Sequence, residues 1–461
     1  MKWITLFCLV ASAIALSAWL RRYPNQTSRI WVVVGCLPLV MSAFHSYIGI
    51  ISWPEWPGYA KGMEFSVLDV LVIALFISLR GRHHRLPFRI SMALYLFATL
   101  LSMVDAEQPI AVFFYVWQIA RMFLLYAVVT QACKEPRVAR AILNGMAVGL
   151  ILEACITIWQ RFGEGVVQAS GTFIHQNSLG LVSHFIVFPF FALLLAGRGG
   201  WLPFVVVLSG VVVEVLTTSR ATVGLAGVGF AMVFVLSALR QWKPRKGLVL
   251  LGALAILALV LPFVSSSFEQ RFSKQSSAAD PAGEEVYDER AAYVKAARLM
   301  LSDYPLGVGA NHFVLIANTK GYDDLAGVSN AYTSRIGNVH NIYWLAAAET
   351  GYLGVIALVI LFLQSSAVAF RGGFAYGADE RGDIMMGLGV GLVIVCLHSY
   401  VEWILITYQS QYMLALNLGL IGGFARQLQV SHRSHSLAGV PHFNPQIAST
   451  LHRTGSRHIT S

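Results

Sequence analysis

His340 stands where a polar stretch gives way to a long apolar run, NVHNIYWLAAAETGYLGVIALVILF from Asn338. An imidazole has a near-neutral intrinsic pKa and suits the removal of a proton from a hydroxyl. The blander role is a polar border residue at a helix end. Tyr332 and Arg335 precede His340 and Asn341 follows it, which makes all three candidate substrate contacts. Arg220 sits in a turn of about four residues between two apolar runs. An Arg pinned there can clamp phosphate oxygens with its planar fork, or can simply snorkel to an interface. Arg290 shares four-, four-, three- and four-residue intervals with Val286, Val294, Ala297 and Leu301. That spacing predicts an amphipathic helix with Arg290 on its more apolar face, where a surface Arg is not expected. Acids crowd its first turns, at the positive end of the dipole, and Pro305 and Gly307 close it.

Further ionisable groups fall inside or near apolar runs: Arg121, Glu153, His184, Glu214, Glu349 and His398. Such groups are costly in lipid and face a bundle interior or a cavity. Arg121 is expected either to pair with Glu153 or to hold an anionic head group. Asp323 and Asp324 have no spaced His or third carboxylate beside them and read as a solvated turn, so a metal-independent reaction without a cofactor is expected. The five cysteines lie in or next to apolar runs with no CxxC spacing, which argues against a disulfide framework or a zinc site.

The elements that must position these residues follow from composition. The 461 residues are 56% hydrophobic and 12% charged, about half the usual charged share. Apolar runs near 20 residues recur through most of the chain, the pattern of an all-α polytopic integral membrane protein. Candidate spans lie at 3–20, 30–52, 65–79, 88–104, 109–132, 141–160, 179–196, 201–217, 222–239, 247–265, 341–369, 384–401 and 408–425. This gives 12 to 13 transmembrane helices, the first being the weakest. A cleaved leader there would leave Arg21, Arg22 and Arg29 on the side that the other basic connections avoid. The organisation expected is an N-terminal bundle over 1–265, a large outer loop over 266–340 carrying the amphipathic helix, C-terminal spans over 341–427, and a disordered inner tail over 428–461.

The net charge of +10 encodes orientation. Alternate connections and the tail hold 21 of the 33 Lys and Arg but only four of the 23 Asp and Glu. The remainder holds 12 basic and 19 acidic residues. By the positive-inside rule the basic set faces the cytoplasm, which puts the N-terminus and the 266–340 loop outside. The inner connections are too short for a nucleotide-binding domain, and no GxxxxGK[ST] or strand-linked GxGxxG is present. Chemistry on the outer side, away from ATP and nucleotide sugars, would need a donor already carried in the membrane. A lipid-linked pyrophosphate is the obvious one.

At these residues the chain resembles the bacterial O-antigen ligase and polymerase superfamily. The likeness rests on GTFIHQNSLG at 171–180, TTSRA at 217–221, ERAAYVKAARLMLSDYPLGVGANHF from Glu289, and His340-Asn341 followed after nine residues by Gly351-x-x-Gly354. The resemblance implies about 12 spans, a large periplasmic loop, and an active site facing the periplasm from the bacterial inner membrane. It implies inverting transfer of a glycan from undecaprenyl diphosphate to an acceptor hydroxyl. It gives Arg220 and Arg290 to the donor pyrophosphate and His340 to the base; Arg121, which can hold an anionic head group, is a further candidate for the pyrophosphate on its own residue chemistry. His175 and Asn177, in the first matching segment, join the possible substrate contacts. An O-antigen ligase takes lipid A-core as acceptor; a polymerase of O-antigen or exopolysaccharide takes a second lipid-linked glycan. The expected partners are those glycans and membrane lipids, with no nucleic acid. Protein O-glycosylation, and a flippase or secondary transporter, are the other readings; the missing repeat and the long loop weigh against the last.

Overall fold

The computed structural model describes residues 2–44, 47–79, 86–255, 258 and 289–438, with side chains given as far as 429. Lipid offers no partner to backbone amides, so apolar runs close their hydrogen bonds as helices. The helices are α1 (Lys2–Arg22), α2 (Thr27–Val40), α3 (Val67–Ser78), α4 (Arg89–Leu101), α5 (Pro109–Ala132), α6 (Pro136–Phe162), α7 (Gln176–Ala196), α8 (Leu202–Leu216), α9 (Arg220–Arg240) and α10 (244–255). After the undescribed stretch come α11 (Glu289–Asp303), α12 (Phe313–Thr319), α13 (Tyr322–Ala326), α14 (Tyr332–Arg335), α15 (Ile342–Ala375), α16 (Glu380–His398) and α17 (Tyr408–Ala438). Among the described residues seven helices are long and apolar enough to cross a membrane, and three shorter apolar ones accompany them. The protein is an all-α polytopic membrane protein.

Two expectations are corrected. The run 30–52 is not one span. Helix α2 ends at Val40, shortly after Pro38, and Tyr47–Ser52 (β1) forms an antiparallel hairpin with Gly62–Ser66 (β2). Hydropathy measures how apolar a run is, not which way its side chains alternate. Here the β-branched and aromatic content of YIGIIS, and the WPEWPG turn after it, decide for a strand. The tail does not begin at 428, because α17 runs on to Ala438. Gln427 near that boundary donates to the Cys133 carbonyl (2.5 Å) and accepts from Arg381 (3.0 Å). Val286, the stretch 266–288, the end of the expected 247–265 span and the tail beyond 438 lie outside the described residues.

The connections sort onto two faces as the charges predict. On one face Asp383 binds Arg198 (3.1 Å) and Arg240 (2.7 Å), and Glu380 binds Arg140 (3.1 Å). Four basic connections, distant in sequence, thus meet on one side. On the opposite side, the loop face, the 161–178 segment joins the α8–α9 turn through Ala169 N–H and the Leu216 carbonyl (3.1 Å). The core between the faces is built where α7 packs on α16, α8 and α9, where α15 packs on α16, α4 and α11, and where α2 packs on α6.

The loop is tied down by a break in α15. Gly351 has φ 67° and ψ −170°, outside the helical region, a conformation essentially confined to glycine. The break frees the Ala348 and Glu349 carbonyls, which accept the N–H groups of Val308 (2.9 Å) and Gly309 (3.1 Å). Tyr352 N–H in turn donates to the Pro305 carbonyl (3.2 Å). Gly307, at φ 91°, lies so close that a Cβ would stand 2.3 Å from the Glu349 carbonyl oxygen. The Glu349 side chain then accepts from Phe313 N–H (3.0 Å), at the start of α12, and from Tyr59 of the hairpin connection (2.6 Å). Asn311 ties the same turn to Ala60 and Ala111. Loop, hairpin and bundle therefore meet at one buried carboxylate.

Candidate active site on the loop face

Each arm of the site is held by local chemistry that is legible in its own segment. The GTFIHQN stretch folds back over the end of α6. Gln160 accepts from Ser170 and Gly171 N–H and donates to the Gly171 carbonyl (3.1, 2.8 and 2.9 Å). Thr172 donates its N–H and hydroxyl to Glu153 (3.0 and 2.7 Å). This anchor presents His175 as the N-cap of α7, its Nδ1 accepting from Asn177 N–H (3.2 Å), the usual capping geometry. Asn341 caps α15 in the same way, its Oδ1 accepting from Tyr343 and Trp344 N–H (3.0 and 3.1 Å). Helix α11 buries Ala292, Tyr293, Ala296, Ala297, Met300 and Leu301. Its face runs on past the buried part to Arg290, which emerges half exposed.

These arms converge on a residue that sequence reasoning did not single out, Glu402, in the connection between α16 and α17. Its Oε2 lies 3.2 Å from His340 Nδ1. Its Oε1 accepts from Asn177 Nδ2 (2.6 Å) and faces Arg290 Nη2 at 3.4 Å. The Val401 carbonyl also lies 3.4 Å from Arg290 Nη1. Ile342 N–H donates to the Ser399 carbonyl (2.9 Å), which locks the start of α15 to this connection. Burial pushes the Glu402 carboxyl up, but the His340 hydrogen bond, with the neighbouring His340, Arg290 and His398, outweighs it and leaves it below the usual carboxylate value. With Asn177 Nδ2 and Arg290 Nη2 both turned on Oε1, the carboxylate is held as an acceptor in an ion pair. Its signal in the sequence was an acid between two aromatic residues, Tyr400 and Trp403, in a short outer connection.

Two helix N-termini, those of α7 and α15, thus meet Arg290 of α11 at one place, through Asn177 and His340. A third is adjacent. Gly180 on α7 lies so near Thr222 on α9 that a Cβ would stand 2.3 Å from its hydroxyl oxygen. The first turn of α9, capped by Ser219 and opening on exposed Arg220, therefore packs beside the first turns of α7. Converging N-termini with Arg side chains favour a multiply charged anion. Beside them a one-third-exposed imidazole can take a proton.

Other expected residues go elsewhere. Arg121 does not pair with Glu153; it pairs with Asp69 (3.1 Å), both nearly buried, under the Tyr412 hydroxyl that donates to the same carboxylate (2.8 Å). Its charge is compensated there by Asp69. Arg335 is taken up by Asp324 (2.6 Å), Asn330 and the Ser329 and Val328 carbonyls (3.1 and 3.2 Å), which ties its own loop together. Tyr332 is exposed on α14. Asn341 is buried in its cap, so replacing it by Ala is expected to cost about 1 kcal/mol. Hydrogen exchange at Tyr343 and Trp344 should speed up accordingly; unchanged protection there would count against the capping role.

Fold and site together define a polytopic helical membrane protein with arginines and a part-exposed imidazole beside helix N-termini on one face. Residues 203–359 match the family model described as O-antigen ligase, which supports a place for this segment in the O-antigen ligase superfamily. The matched stretch contains Arg220, Arg290, His340 and the break at Gly351; Asn177 and Glu402 lie outside it. A comparison with curated proteins returns no match. The family supports a glycosyltransferase of the ligase and polymerase type, acting on lipid-linked glycans in a membrane.

Proposed function

We propose that this protein is an O-antigen ligase of the bacterial inner membrane, with its loop face in the periplasm. It transfers a glycan from undecaprenyl diphosphate to a sugar hydroxyl of lipid A-core. The observation that carries the reading is the meeting of His340, Arg290 and Asn177 on Glu402 at converging helix N-termini. The donor enters from the lipid with its pyrophosphate against Arg290 and Arg220. His340 takes the proton of the acceptor hydroxyl as its oxygen bonds to the anomeric carbon. The bond from that carbon to the diphosphate oxygen breaks on the opposite face, which inverts the centre. The electron pair leaves on the undecaprenyl diphosphate, where arginines and helix dipoles stabilise the growing charge.

The deciding experiment offers the purified protein a lipid-linked glycan with either lipid A-core or a second lipid-linked glycan. Product on lipid A-core is expected. Product only on the second glycan would make the protein a polymerase, and no product on either would sink glycosyl transfer. Arg220→Lys should lose most ligation with a raised KM for the donor, because a compact ammonium cannot reproduce the guanidinium fork. Wild-type laddering of lipopolysaccharide in that variant would remove Arg220 from the donor site.

A further inference from the structure

We propose that Glu402 is the positioning residue of the transfer site, fixing which nitrogen of His340 faces the acceptor. The inference rests on the reading of His340 as the base. Glu402 is 2% exposed, whereas the side chains of His340 and Arg290 are 33% and 55% exposed. The carboxylate therefore stands behind the site, and the groups it holds stand in front. Both of its oxygens are engaged, Oε2 by His340 Nδ1 and Oε1 by Asn177 Nδ2 and Arg290 Nη2.

An ionised carboxylate only accepts hydrogen bonds. The imidazole nitrogen facing it must then carry the hydrogen, which leaves the lone pair on Nε2, the nitrogen that can take a hydroxyl proton. Once that proton is taken, the same carboxylate faces a cation and stabilises it. This is the division of labour between a base and its buried acidic partner in hydrolytic triads. The groups acting electrostatically on Glu402 from the packed elements are His340, Arg290 and His398, with His175 also under its influence. All are basic residues, so no second acid among them competes for the role. The grip on Arg290 and Asn177 gives the carboxylate a second task. One side chain sets the spacing between the base and the cation expected at the leaving group, and this spacing must hold for a displacement in line.

Glu402→Gln tests this in the full-length protein, purified into lipid nanodiscs, with undecaprenyl-diphosphate-linked glycan as donor and lipid A-core as acceptor. The amide turns a donor toward Nδ1 and drives the ring proton to Nε2, the wrong nitrogen for a base. The expected result is a fall in kcat of about 10²-fold or more with little change in the acceptor KM. Glu402→Asp, which keeps the charge on a shorter stem, should recover part of the loss. Full kcat in a folded Gln variant overturns the proposal, and so does a loss carried by the donor KM alone, which would reduce Glu402 to a tether for Arg290. If the Gln variant does not fold, the Asp variant decides: lowered kcat at unchanged KM supports the role, and full kcat overturns it. His340→Ala is run alongside. An inactive Ala variant beside a fully active Gln variant overturns this inference alone, whereas an active Ala variant overturns the base beneath it.

Discussion

His340→Ala abolishes detectable ligation and leaves the protein folded. That is the expected result, and its two halves have separate grounds. Losing a general base typically costs about 10²–10⁴-fold in rate. In a cell-based assay a loss near the upper end removes the O-antigen ladder from lipopolysaccharide. The fold should survive because the His340 side chain is one-third exposed and α15 is started by its neighbour, Asn341. Removing the imidazole leaves that cap intact. It also leaves Glu402 with Asn177 and Arg290 as partners, so no buried charge is stranded. Gel analysis of lipopolysaccharide, with size-exclusion chromatography of the purified variant, checks both halves. A normal ladder, or an inactive variant that has lost its monodisperse elution, would each remove the support for a base at this position.

Gly351→Ala should do the opposite and act through the fold. The backbone there sits where non-glycine residues cost roughly 1–3 kcal/mol. The added Cβ would also lie 2.2 Å from the Pro305 carbonyl oxygen and 2.6 Å from the Leu306 carbonyl carbon, so the 305–309 turn must move. That turn carries the hydrogen bonds to Ala348, Glu349 and Tyr352. Its displacement releases the loop from the bundle and with it the α11 helix that carries Arg290. A marked drop in unfolding temperature is expected, together with loss of ligation. Gly247→Ala in α10 is the control, since its Cβ would meet nothing within 4 Å. Equal unfolding temperatures for the two variants would show that the break at Gly351 is not what anchors the loop. The glycine that marks the resemblance to ligases thus has a structural reason: it opens α15 so that the loop can dock.

Much of this was legible in the chain before folding. The apolar runs gave helices because lipid leaves backbone amides no alternative partner. The alternation of basic connections placed four of them on one face, where Asp383 and Glu380 gather Arg198, Arg240 and Arg140. Local capping signals in Ser219 and Asn341, and the apolar stripe of α11, oriented the arms of the site one by one. The run 30–52 misled because averaged hydropathy carries no information on side-chain alternation, and a hairpin strand took its last six residues.

What the sequence determined by itself was therefore the helical state of most apolar runs, which connections share a face, and which residue types could handle a proton or a phosphate. What only the tertiary structure decided was pairing. Pairing with Glu153 is one of two roles the sequence offers Arg121, yet Arg121 meets Asp69 and Glu153 meets Thr172. Glu402, one acid among 23, acquired its place because three segments far apart in the chain close on it. Local sequence sets dihedrals and hydrophobic faces, which act over a few residues. The energy of an ion pair depends on distance and burial, and only the packed bundle fixes those.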